Sequence, residues 1–476
     1  VLSTAHHADV IIVGAGLAGL SAAHHLTSAG VSVTVLEAAE HAGGRMATEH
    51  LDGFRLDRVG QLLSSSCPEL SRIPALAAAA LRPFAPGVLV RSGDRLHRTG
   101  EPGSARGALQ AARALASAPR NTPRGAPRGT PRSAHRAAQR TARTIRTTDP
   151  RAPVARPAPA PLGGALDQAR LGAALARLAA TPADRLLARP ELPAHEALYE
   201  RGLPARTVDG FLRPLLAALL CDPALTTSSR CADLALRAYA RGRLCVPAGG
   251  AATLPALLAA ALPPGTVRTG VRVKDAAIST VDTEEYGPLS CRALVLATGA
   301  RAAAELLPGL RVPDFHPVTV FHHTAPTPPL TVPALLLDGG GSGAGPVAHT
   351  CVMSEVDPDR APHGRVLVSS TVLGAASGVA TDREVRAHLT RLYGTSTHDW
   401  ELLAVHHTPD AVPVMAAPHD PRRPVRLLAG LYVCGDHRDT STVPGALLSG
   451  RRAARSVLRD FGALPGSAPA PLPAAA

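Results

Sequence analysis

The chain is almost without lysine: among its 476 residues Lys274 is the only one, and arginine supplies the rest of the 50 basic positions. Chemistry that needs a lysine therefore has a single address. Long hydrophobic runs are also missing. No apolar stretch approaches the ~20 residues that cross a bilayer, and the run Leu254 to Leu262 is short and broken by Pro255. No basic segment followed by a long apolar one opens the chain, so no secretory signal is expected. The seven cysteines (Cys67, Cys221, Cys231, Cys245, Cys291, Cys351, Cys434) are scattered, odd in number and nowhere spaced C-x-x-C. That argues against a zinc site or a disulfide framework and fits a reducing cytoplasm. Acidic residues are scarce in one place. Between Arg91 and Ala160 fifteen arginines face only Asp94, Glu101 and Asp149, which accounts for all but one of the net charge of +13. The remainder of the chain is nearly neutral, so the charge describes one segment and not a basic, nucleic-acid-binding fold.

What is present begins at Asp9, in the run DVIIVGAGLAGLSAAHHLTSAGVSVTVLEAAEHAGGR. Asp9 to Val13 is apolar and β-branched, the pattern of a strand buried on both faces of a parallel sheet. Gly14, Gly16 and Gly19 then supply G-x-G-x-x-G: one glycine for the tight turn, one for close approach of backbone N–H groups to a diphosphate, one for helix packing. Together with Ala15, Leu17 and Ala18 they make up the expected phosphate turn. Leu17 to Ala29 reads as a helix stopped by Gly30, with its positive end aimed at the phosphates. Val31 to Leu36 reads as the next strand. Glu37 at its end, followed by Ala38, can accept hydrogen bonds from a ribose diol. NAD and FAD fit this unit equally well.

The continuation Gly43-Gly44-Arg45 favours FAD. Here the chain resembles the flavin-dependent amine oxidoreductase superfamily, which includes amine oxidases, protoporphyrinogen oxidases and phytoene-desaturase-like enzymes. The resemblance implies an α/β fold: a discontinuous Rossmann-type FAD-binding domain with an α+β substrate domain carrying an antiparallel sheet. It places Gly43, Gly44 and Arg45 on the flavin side, brings Gly60 and Gln61 near the flavin, and passes Val273 beneath the adenine. The closing stretch LYVCGDHRDTSTVPGALLSGRRAAR, Leu431 to Arg455, carries the second likeness. It implies that Gly435 and Asp436 meet the diphosphate and ribityl chain. N–H groups around Val443, Gly445 and Ala446 then face the flavin at a helix N-terminus.

The expected organisation is an FAD-binding domain from 8–75, 244–310 and 425–462, and a substrate domain from 76–118, 162–243 and 311–424. Residues 119–161, rich in Arg and Pro, read as a disordered insert, and 463–476 as a disordered tail. The insert is read as a solvated segment without a partner; the alternative is electrostatic contact with an anionic membrane surface. Ala165 to Leu187 reads as an amphipathic helix, with Leu166, Leu171, Leu175 and Leu178 at helical spacing. Val267 to Val273 and Arg292 to Ala297 read as strands, Leu335 to Gly374 as antiparallel hairpins, and Thr381 with Glu384 as a capping box. Phe211, Arg213, Pro214 and Ser228 match substrate-domain positions of desaturase-like members, though helix packing and capping explain them equally well.

Three departures bear on substrate. Amine oxidases of the family use a lysine near the flavin, whereas Lys274 falls on the adenine side. They place an aromatic residue where this chain has Thr442. No cysteine has the spacing used for covalent attachment, so FAD should be noncovalent. The expected function is dehydrogenation or desaturation of a largely apolar small molecule by hydride transfer to flavin N5. The alternatives are a flavin amine oxidase releasing hydrogen peroxide, and a non-catalytic FAD-binding module. No catalytic acid or base stands out. The pairs His24/His25, His322/His323 and His406/His407 give no metal site, because adjacent strand residues point to opposite faces.

Overall fold

The computed structural model describes residues 8–99, 165–340, 345–374 and 380–463. The insert 119–161 and all but the first residue of the tail 463–476 lie outside the described residues. The apolar run that opens the motif becomes the strand Ala8–Val13 at the centre of a parallel sheet, with Val10 to Ile12 almost wholly shielded from solvent. It pairs in parallel with Val33–Leu36 on one side and with the second half of Gly287–Leu296 on the other. Val267–Arg268 and Leu431–Val433 extend these two flanks, again in parallel. Three segments far apart in sequence thus share one sheet. The strand order reverses beside Ala8–Val13, and in such sheets the crevice at the carboxyl ends of the strands is where ligands bind.

The first helix, Leu17–Thr27, packs on the last, Val443–Asp460. Ser21 Oγ donates to the Leu447 carbonyl at 2.8 Å. An ideal Cβ on Gly450 would lie 2.1 Å from the Ala18 oxygen, so the two backbones meet through a glycine. This contact locks the two ends of the chain together.

A second sheet of seven strands runs in the order Glu401–Pro413, Phe315–Ala325, Val366–Leu373, Val347–Val352, Leu336–Asp338, Val88–Ser92, Arg95–Thr99. All neighbours are antiparallel except Leu336–Asp338 with Val88–Ser92. One face packs Phe321, Val368 and Trp400 against the helix Asp382–Tyr393. That helix has the capping box: Thr381 Oγ1 accepts from the Glu384 N–H at 3.3 Å and the Glu384 carboxylate accepts from the Thr381 N–H at 2.7 Å. The opposite face reaches the hairpin Thr48–Leu51/Phe54–Asp57, where the His322 ring bonds the Asp57 carbonyl at 3.0 Å.

Three elements differ from the sequence reading. The helix expected over Ala165 to Leu187 stops at Ala180 and restarts at Ala183, because Pro182 has no N–H to continue it. The strand expected over Val267 to Val273 is split by Gly270 at φ 68°: Val267–Arg268 stays in the parallel sheet and Val273–Ala276 turns to pair with Thr280–Thr283. The strand expected from Arg292 begins at Gly287; its first half pairs antiparallel with Thr280–Thr283 and only the apolar second half is buried. Adjacent histidines do point apart: His322 bonds Ser369 Oγ and Asp57 O, while His323 bonds the Asp382 carboxylate.

Burial pushes His322, His349 and His437 down to about 4. In the unfolded chain they take up protons near 6.5. Between those values the unfolded state binds more protons, so the fold loses stability as pH falls from about 6.5 to about 4, by up to ~3 kcal/mol per histidine. Asp439, raised by burial to about 6, acts in the opposite sense over the lower part of that window. Three groups against one predict a melting temperature that falls on acidification. His349→Gln should flatten the decline, and a melting temperature that rises from pH 7 to pH 4.5 would contradict the assignment.

Candidate cofactor-binding site

A cleft of about 680 Å³ opens at the carboxyl ends of the parallel strands, walled on its far side by residues of the seven-stranded sheet. Its floor is the glycine turn. Gly14 adopts φ 104° and its N–H donates to the Leu36 carbonyl at 2.7 Å; an ideal Cβ there would lie 2.9 Å from the Ala297 oxygen. On Gly19 it would lie 2.0 Å from the Gly14 oxygen, so this glycine lets the helix sit on the turn. Gly16 differs. It lines the cleft, and nothing comes within 4 Å of an ideal Cβ. The missing side chain leaves the space that an approaching diphosphate needs.

Glu37 closes the second strand at the cleft wall. Its Oε2 accepts from the Ala15 N–H at 2.7 Å and its Oε1 from the Ala39 N–H at 3.0 Å. Two backbone bonds fix the carboxylate and leave acceptor capacity on each oxygen for a ribose diol. Gly43 donates to the Ala15 carbonyl at 3.0 Å, which lays Gly43 and Gly44 beside the phosphate turn. From there Arg45 reaches across: Nη2 donates to Asp436 Oδ1 at 2.7 Å and Nη1 to the Ala411 carbonyl at 2.6 Å. One guanidinium thereby joins the N-terminal motif, the closing motif and the second sheet.

The closing motif supplies the remaining wall. Gly435, at φ 150°, donates to Ser449 Oγ at 3.1 Å, and Asp436 is 5% exposed. Thr442 caps the last helix, accepting from the Gly445 N–H at 3.2 Å through Oγ1 and from the Ala446 N–H at 2.9 Å through its carbonyl. Pro444 has no N–H. Of the backbone donors from 443 to 446, Val443 is thus the one left for a ligand, a narrower set than the sequence reading gives.

Of the residues expected to bind cofactor, Gly14, Gly16, Leu17, Ala18, Glu37, Ala38, Gly43, Gly44, Arg45, Gln61, Val273, Gly435, Asp436, Val443 and Ala446 line this cleft. Ala15, Gly19, Gly60 and Gly445 are not among its lining residues. An ideal Cβ on Gly60 would lie 3.2 Å from Thr371 Oγ1, and one on Gly445 1.9 Å from the Thr440 oxygen, so these two serve close packing. Lys274 lines the cleft beside Val273 with its ammonium 4.0 Å from Asp282. Phe211 is buried among helices and Ser228 accepts from the Arg230 N–H at 3.3 Å; neither lines the cleft, nor do Arg213 and Pro214.

Sequence reasoning missed Thr298, Gly299, Arg301, Phe315, Thr408 and Asp410, which also line the cleft. The small-residue turn after Leu296 carried a usable signal, since a turn ending a parallel strand lies at the ligand edge. Arg301 follows that turn on the helix Ala300–Leu306, while Phe315, Thr408 and Asp410 come from the second sheet, whose placement no local pattern encodes. Among the described residues, no group of three or more His, Cys, Asp or Glu is placed to hold a metal ion.

A parallel sheet with a glycine turn, an acid closing the second strand and a helix N-terminus on one cleft is the arrangement of dinucleotide-binding folds. Residues 17–458 match the family model for flavin containing amine oxidoreductases. The chain belongs to that family. A putrescine oxidase from Kocuria rosea is 48% identical over 67 residues, 14% of this chain and 14% of that relative's length. An oxidoreductase from Methanosarcina mazei superposes with a TM-score of 0.66 at 15% identity, over 94% of this chain and 99% of the other. A protein assigned as a protoporphyrinogen oxidase from Exiguobacterium gives 0.63 at 16% identity, over 94% and 98%. At these identities the structural likenesses speak for the fold alone.

Proposed function

We propose that the chain holds FAD noncovalently and dehydrogenates or desaturates a largely apolar small molecule. The fixed Glu37 carboxylate and the open space at Gly16 support an adenine dinucleotide. Cys434 is fully buried within the sheet region, with its thiol pushed up to about 12, which supports noncovalent binding. Bound in this cleft, the flavin would supply a hydride acceptor at N5. The chain's own residues then hold, orient and exclude water.

The observation that carries the substrate reading is an apolar cluster next to the flavin-side segment Gly60–Gln61. Val59, Cys221, Val318, Val320, Ala411 and Val412 pack together, with Leu373 against them. Val320 Cγ2 lies 3.9 Å from an ideal Cβ on Gly60, and Ala411 is the residue whose carbonyl receives Arg45. These residues are buried and none of them lines the cleft itself, so they back the flavin-side segment with apolar packing and support a largely apolar surround for the site of transfer. Thr442, which lines the cleft, stands where amine oxidases of the family place an aromatic residue.

Amine oxidation is the second reading, favoured by the putrescine oxidase likeness. An anaerobic screen separates the two. Bleaching of the yellow flavin absorbance by isoprenoid or porphyrinogen-like compounds is expected, and bleaching by simple amines alone would reverse the preference. Full flavin occupancy with no bleaching by any compound would instead point to a non-catalytic binding module. No described helix is long and apolar enough to cross a membrane.

A further inference from the structure

Two ion pairs cross the cleft. The inner one, Arg45 with Asp436, belongs to the motifs already described. The outer one joins Arg301, from the helix Ala300–Leu306, to Asp410, from the strand Glu401–Pro413. Arg301 Nε donates to Asp410 Oδ2 at 2.6 Å and Nη2 to Oδ1 at 3.1 Å, a bidentate fork. The guanidinium carbon lies 5.2 Å from the centre of the Phe315 ring, which restricts its orientation. All three residues line the cleft, from opposite walls.

Their position along the cleft follows from their neighbours. Arg301 is two residues beyond Gly299, in the turn whose Ala297 oxygen and Thr298 nitrogen lie 2.9 and 3.1 Å from an ideal Cβ on Gly14. Asp410 precedes Ala411, whose carbonyl holds Arg45. The pair therefore bridges the phosphate turn and the second sheet, over the stretch where Gly14 and Gly16 would receive a diphosphate. A fork to one carboxylate uses two of the five guanidinium N–H groups and leaves three for phosphate oxygens. The side chains are 60% and 40% exposed, and an exposed pair contributes little to the stability of a fold.

We propose that Arg301 and Asp410 form a clasp that closes over the diphosphate of bound FAD and sets the rate at which the cofactor leaves. The inference rests on the FAD reading given above. Asp410 holds the guanidinium across the cleft, Phe315 keeps it flat, and the remaining N–H groups face the phosphates. Opening the cleft then requires breaking the fork.

The test measures release of FAD from diluted holoprotein, by separation of free flavin over time, for the native chain, Arg301→Ala and Asp410→Asn. Both variants should melt near the native temperature, since the side chains are exposed. Each should release FAD measurably faster, by up to about fivefold. Release from the native chain should quicken with added salt, and release from Arg301→Ala should respond less. Unchanged release in both variants overturns the clasp. So does faster release in Arg301→Ala with unchanged or slower release in Asp410→Asn, which would make Arg301 a phosphate ligand acting alone. Native protein that takes up no FAD overturns the cofactor reading itself, and shows this before any variant is made.

Discussion

Gly16→Val is expected to leave the protein folded and to strip it of flavin. Gly16 sits at φ −72° and ψ 176°, extended backbone that any residue adopts. Nothing lies within 4 Å of an ideal Cβ, so valine has room in the chain alone. The room it fills is the cleft space beside the turn. Overfilling a close-packed contact costs about 1–3 kcal/mol, so flavin affinity should fall by roughly 5- to 150-fold. The apo forms of the variant and the native chain should melt within a few degrees of each other. Gly19→Val makes the contrast. Its ideal Cβ would lie 2.0 Å from the Gly14 oxygen, so the damage there is to the fold itself. Native flavin content in Gly16→Val would remove the glycine turn from the site.

Arg45→Ala should weaken both cofactor binding and the fold. The Asp436 side chain is 6% exposed and loses its cationic partner, while the Ala411 carbonyl loses a donor. Stranding one member of a buried pair costs about 3–5 kcal/mol. Because the Arg45 side chain is 37% exposed, the loss belongs at or below the lower end of that range. The expected result is a preparation with little bound flavin and a melting temperature several degrees below native. Arg45→Lys keeps the charge but cannot reach two acceptors as a fork, and should fall between. An Arg45→Ala protein with native flavin content and melting temperature would mean that the two chain ends are held together by helix packing alone.

The parts of this architecture written in local pattern were legible from sequence. Asp9 to Glu37 carries its strand, turn, helix and acid in order, and each depends on residues within a few positions. Likewise, the Thr381–Glu384 capping box is a four-residue motif and forms as read. Pairing Gly43-Gly44-Arg45 with the closing motif required a family likeness. The physical link between them is the Arg45–Asp436 bond across 391 positions, which no periodicity announces. The outer pair was invisible for the same reason: Arg301 and Asp410 are ordinary charged residues until two sheets bring them 2.6 Å apart. At Gly60 and Gly445, expected as cofactor contacts, the missing side chain also permits close packing against Thr371 and Thr440. A glycine's motif position shows that space is needed, and only the tertiary structure shows what fills it.

The most direct test is the identity of the ligand that heat denaturation releases from purified protein, determined by absorbance and mass. One equivalent of yellow FAD per chain is the predicted result. A colourless nucleotide, or a protein that neither carries nor takes up any flavin, would contradict the assignment of this cleft.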